Sequence, residues 1–253
     1  MFIFEKRTQL KLLVTAIVVM GSLNSVANAA IGLDRTRAVF PGTEKAISLN
    51  ISNQNKQLPY LAQAWLEDDK GNKIQSPFSV LPPLQRVEPD KSSQVRIQSL
   101  PATAQLPQDR ESIYYFNLRE IPPRSSKPNT LQLALQTRIK MFYRPAGIIP
   151  DKSEAPWAEK LTLTKSGNKY LVSNPTPFYV TLVDGRTQKE AKSIDHFEPL
   201  MVAPRSSGEI NVTAAELGAN PVLTYINDYG GRPLLSFKCS GSSCVVVPEP
   251  KKS

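Results

Sequence analysis

Residues 131–143 read LQLALQTRIKMFY. The odd positions hold Leu131, Leu133, Leu135, Thr137, Ile139, Met141 and Tyr143, and the even ones Gln132, Ala134, Gln136, Arg138, Lys140 and Phe142. A β-strand sends alternate side chains to opposite faces, so this period of two predicts a strand with one largely apolar face. A helix would scatter the same residues around its circumference. Thirteen residues at about 3.3 Å each span about 40 Å, roughly twice an ordinary strand. Shorter alternations precede it: Ile47, Leu49 and Ile51; Val95 and Ile97; Tyr114, Phe116 and Leu118. The turn-forming stretches PGTEK, DDKGNK, VEPDKSS and IPPRSSKPN separate them. The chain is therefore expected to be all-β, with any helix short.

Directly after the long alternation comes YRPAGIIPDKSEAPW, which has three prolines and no period. It reads as a stiff linker, with a boundary near residues 145–156. A second set of strand-like runs follows: KYLVS, FYVTLV, PLMVAP, EINV, VLTYIN, PLLSFKC and CVVVP, broken at NPTP, DGRT, APRSSG and YGGRP. The expected organisation is one β-sandwich over residues 30–148 and another over 149–253, meeting at an angle around a cleft.

The first 29 residues have the layout of a cleaved signal peptide: Lys6, Arg7 and Lys11, the apolar run Leu12 to Met20, then Ala27-Asn28-Ala29. The run is about half of what spans a bilayer, and no later segment approaches that length, so the mature protein is expected to have no membrane span. Cleavage would change the formal charge from +9 to +7. Outside the cytosol nucleic acid is no longer the natural target of that charge, and anionic surfaces or carboxylates take its place. Cys239 and Cys244 flank a Ser/Gly turn in FKCSGSSCVVV. In an oxidising compartment they read as a disulfide across a hairpin end; a reactive pair would call for C-x-x-C spacing.

Chemistry-bearing constellations are scarce. His196 is the single histidine, so a catalytic relay or a histidine metal site would have to rest on it alone. Glu67-Asp68-Asp69 precedes Lys70-Gly71-Asn72 and reads as a turn, and Gly230-Gly231 opens no helix. Trp65 and Trp157 are expected in packing roles. No catalytic residue, metal site or cofactor is expected, and the protein is not expected to be an enzyme.

Four segments carry a resemblance: LDRTRAVFPGTEKAISLNISN, LPQDRESIYYFNLREIPP, LQLALQTRIKMFYRP and YINDYGGRPLLSFKCSGSSC. Together they resemble the periplasmic pilus chaperones of the chaperone–usher pathway, with the likeness densest over residues 30–145. It implies two immunoglobulin-like domains in a boomerang and a set of roles residue by residue. Arg37 and Lys140 would anchor the C-terminal carboxylate of a pilus subunit, and Leu131, Leu133 and Leu135 would be donated to the subunit's incomplete sandwich. Glu111, Arg144 and Asp228 would form an inter-domain charge cluster. Leu61, Gln63, Pro82, Pro83 and Arg96 would contact the outer-membrane usher. The implied function is a periplasmic chaperone that completes a subunit's fold, prevents its aggregation and delivers it to the usher; when free, it would have reason to cap its sticky strand by self-association. A secreted carbohydrate- or protein-binding sandwich is the competing expectation; it calls for an aromatic platform and no dependence on a partner's C-terminus.

Overall fold

The computed structural model describes residues 29–151 and 156–248. The expected signal segment, apart from Ala29, and part of the expected linker lie outside the described residues. In the first half the strands are β1 (Ile31–Leu33), β2 (Arg37–Pro41), β3 (Ala46–Asn53), β4 (Tyr60–Glu67), β5 (Lys73–Ile74), β6 (Phe78–Leu81), β7 (Leu84–Val87), β8 (Ser92–Ser99), β9 (Ser112–Ile121) and β10 (Gln136–Arg144). One sheet runs β1-β3-β8-β6 and the other β2-β10-β9-β4-β5, with β7 also paired to β4. The chain changes sheets between β1 and β2. The alternations read from the sequence become its core: Leu49, Ile51, Val95, Ile97, Tyr114, Phe116, Leu118, Ile139 and Met141 are all buried. Phe78 sits among aromatic rings, 5.0 Å from Phe40 and 5.2 Å from Tyr114 between centroids, which suits the edge and tilted contacts aromatic pairs prefer.

The second half holds β11 (Thr162–Ser166), β12 (Lys169–Asn174), β13 (Val180–Arg186), β14 (Leu200–Val202), β15 (Ser206–Glu209), β16 (Val222–Tyr225), β17 (Leu234–Ser240) and β18 (Ser243–Val246). They follow one path, β14-β13-β16-β17-β18-β11-β12-β15. Strand β17 turns the corner: Leu234 to Ser236 pair with β16 and Phe237 to Ser240 with β18. Cys239 and Cys244 lie opposite each other on β17 and β18 and are disulfide-bonded. So short a loop removes little freedom from the unfolded chain, about 2 kcal/mol in the loop-entropy picture. The two halves are separate cores, each with its own cluster of buried side chains. The short helix, Ala214–Leu217, opens on a capping box between Thr213 and Glu216.

Three expectations need correction. The long alternation is a strand only from Gln136 onward. Its register to β9 begins at Gln136↔Arg119, and the last tie is the Glu120 N–H donating to the Leu135 carbonyl at 3.0 Å. Beyond that no neighbouring strand is present among the described residues, and an isolated segment cannot hold a ladder. The run EINV also fails as a strand. The pairing to β12 falls instead on Ser206–Glu209, while Ile210 and Val212 are buried past its end. Trp65 differs too: it stands half-buried on the outer face of β4, flanked by Lys73 and Arg119 at 4.3 and 5.2 Å, whereas Trp157 packs on Phe178 and Tyr225.

Candidate functional site

Strand β2 is an edge strand and pairs with β10 in parallel, beginning at Lys140↔Arg37. The two cations, far apart in the sequence, therefore sit side by side on one face at the junction with the second domain. Arg37 is 7% exposed. One of its terminal nitrogens donates to the Ile226 carbonyl at 3.0 Å, while its buried Nε has no partner among the described residues. Burial holds the Arg37 guanidinium below its ordinary value, against the pull of Asp228 and Glu111. Burial, and then the charge of Arg37, holds the Lys140 ammonium below its own. Among the described residues Lys140 Nζ reaches only the Thr181 hydroxyl, at 3.5 Å. Two desolvated like charges with spare donors form a site in which a carboxylate would relieve both the repulsion and the lost hydration.

Arg144 closes the same strand. Its fork donates to both oxygens of Asp228 at 2.7 and 3.0 Å, and its Nε donates to Glu111 at 2.9 Å. The other Glu111 oxygen accepts the Tyr179 N–H at 2.8 Å. One guanidinium thus ties β10 to the turn after β16, and Glu111 ties the start of β9 to the start of β13. An exposed pair between Arg205 and Asp109, at 2.6 Å, adds to the junction. Burial pushes the Glu111 carboxyl up to about 7, although Arg144 and the Tyr179 N–H draw it down.

The ordinary value for Glu111 is 4.5, so between about pH 4.5 and 7 the folded protein binds the extra proton. Stability from this group is then present at low pH and declines as pH rises through that window. In urea unfolding, wild type is expected to lose stability between pH 5 and 7.5 relative to Glu111→Gln; parallel profiles would contradict this.

Leu131, Leu133 and Leu135 are 84%, 66% and 43% exposed. They share the parity of Ile139, Met141 and Tyr143, which face the core of the first domain. The stripe that fills this core thus runs off the end of the domain into solvent. Across the sheet from β2, Leu61 and Gln63 lie on β4 opposite Arg86 and Leu84 of β7. Pro82 and Pro83 form the exposed corner between β6 and β7. Arg96 belongs to the other sheet, opposite Leu81, and exposed Leu58, Leu81 and Leu84 widen the apolar surface here.

A family described as the pili and flagellar-assembly chaperone, PapD N-terminal domain, matches residues 30–149, and the pili assembly chaperone PapD, C-terminal domain, matches residues 156–237. The chain belongs to the PapD-type pilus-assembly chaperones. It is 54% identical over 227 residues to chaperone protein PapD of Escherichia coli, covering 89% of this chain and 93% of that one. It is 46% identical over 235 residues to the probable fimbrial chaperone YfcS of Escherichia coli K12, covering 93% of each. Among solved structures, the CupB2 chaperone of Pseudomonas aeruginosa superposes with a TM-score of 0.67 at 34% identity, over 81% of this chain and 98% of that one. The SafB chaperone of Salmonella enterica, crystallised in complex with the SafA pilin, gives 0.69 at 26% identity, over 85% and 99%.

PapD-type chaperones are non-enzymatic pilus-assembly factors that bind pilus subunits, and both domains here are immunoglobulin-like sandwiches. Among the described residues no helix is long and apolar enough to cross a membrane, and no cluster of metal-ligating side chains is present. Sequence reasoning missed one feature of the site. Tyr229, in the turn that carries Asp228, is 97% exposed beside Arg37; a lone tyrosine in a Gly-rich turn gives no periodic signal.

Proposed function

We propose that the protein works in the periplasm, capturing a pilus subunit by strand donation, anchoring its C-terminal carboxylate and handing it to the outer-membrane usher. The observation that carries this reading is the open edge of β10. Strand β9 covers one side from Gln136, but β2 covers the other only from Lys140. A strand entering in line with β2 and parallel to β10 would run beside residues 131–139 and stop at Arg37 and Lys140. Its terminal carboxylate would then meet the two cations, while Leu131, Leu133 and Leu135 would fill the subunit's exposed groove. Burying three leucines favours such a complex by roughly 5 to 9 kcal/mol before ordering costs. Leu61, Gln63, Pro82 and Pro83, away from β2, and Arg96 on the other sheet would stay free for the usher while the subunit is held. In the uncomplexed protein the same leucines suit a self-capping dimer.

Co-purification from periplasm with a co-expressed pilin tests the reading. An intact subunit is expected to accompany the chaperone, and one lacking its last few residues is expected to be degraded. Equal recovery of the two would contradict carboxylate anchoring.

A further inference from the structure

We propose that Tyr229 is a specificity-determining residue that reads the side chain at the C-terminus of the bound subunit; this rests on the anchoring role of Arg37 proposed above. Arg37, Val39, Asp34, Arg35, Asp228 and Tyr229 line one cleft of about 480 Å³, enough for the last residue or two of a peptide. Its formal charge is balanced, two arginines against two aspartates, but the aspartate oxygens are already engaged. Asp34 is committed to Arg35, at 2.8 and 2.9 Å, and to Asn50, and both Asp228 oxygens are held by Arg144. Arg37 donates from one terminal nitrogen to the Ile226 carbonyl, and its Nε, unpartnered among the described residues, is shielded from solvent, so a ligand would meet the terminal edge of the guanidinium. A carboxylate seated there carries its own side chain toward the remaining wall, formed by Val39 and Tyr229.

Tyr229 is held ready for such a contact. The Asn227 side-chain oxygen accepts the N–H groups of Tyr229 and Gly231, at 3.1 and 2.8 Å. The Asn227 and Gly230 backbones close the turn. Gly230 has φ +82°, and a Cβ there would lie 2.6 Å from the Thr36 hydroxyl. Only glycine lets the turn seat between Arg35 and Arg37. Residue 229 is therefore fixed in the backbone while its ring, 97% exposed, contributes little to the fold. An exposed aromatic on a fixed backbone beside a buried charge can serve as an interface anchor, since little backbone freedom remains to be lost on binding. The occupant it suits is a subunit ending in an aromatic or large apolar residue.

Synthetic peptides of one alternating apolar sequence, ending in Phe or Gly and each made as free acid and as amide, provide the test by fluorescence anisotropy. Wild type is expected to prefer the Phe-ended acid by about tenfold, the scale of one aromatic contact. Tyr229→Phe should keep that preference, and Tyr229→Ala should level the two acids. A preference that survives in Tyr229→Ala, or that is absent in wild type, would overturn the proposal. If acids and amides bind alike to wild type and to Arg37→Ala, the anchoring reading itself fails, whatever Tyr229 does.

Discussion

Leu133→Asp is expected to abolish stable subunit capture while leaving the free chaperone folded. Leu133 is 66% exposed and Leu135 is the last residue tied to β9, so the free protein loses no core contact and its stability should shift by no more than about 0.5 kcal/mol. In the proposed complex the same position would enter an apolar groove. There the substitution forfeits about 2 kcal/mol of leucine burial and adds the desolvation of a carboxylate, several kcal/mol more. Affinity should fall by at least about three orders of magnitude. Pull-down with a pilin, alongside thermal unfolding of the free variant, separates the two effects. Gln132→Asp, on the opposite parity, should bind with much smaller loss; equal loss at both positions would argue against strand donation.

The second large effect falls on the paired cations. Lys140→Ala and Arg37→Ala should each weaken capture by about two to three orders of magnitude, the cost of leaving a buried carboxylate short of a partner. Their effects on the free protein should differ. Lys140 makes one long contact, to Thr181, and is held below its ordinary value by burial and Arg37. Its removal relieves that repulsion, so the unbound variant should be at least as stable as wild type. Arg37 also donates to the Ile226 carbonyl, so its removal should loosen the junction. Capture unaffected in Lys140→Ala would remove the anchor from the account.

Period two alone gave the strands and the parity of the leucine stripe, because alternation is imposed on the chain locally. Where the stripe stops being a strand depends on where β9 ends, and no local signal states it. The failure of EINV has the same origin: Ser206–Glu209 lacks apolar alternation, yet its pairing with Leu171–Asn174 makes it the strand. The adjacency of Arg37 and Lys140 is a parallel pairing of distant segments. Composition supplied only a net positive charge, and the family resemblance singled out the pair. Glu111, Arg144 and Asp228 were likewise legible only through the resemblance, since their meeting depends on how two separately folded sandwiches dock. Tyr229 was legible through neither, because its importance comes from the rigid turn and the cleft beside it.

Hydrogen–deuterium exchange of residues 131–135, free and with a bound pilin, tests strand donation most directly. The free segment has no strand partner among the described residues and should exchange within seconds. In the complex its amides should be protected as strongly as those of Ile139 and Met141, and the protection should be lost in Leu133→Asp. A stable complex in which residues 131–135 still exchange as fast as in the free protein would contradict the account.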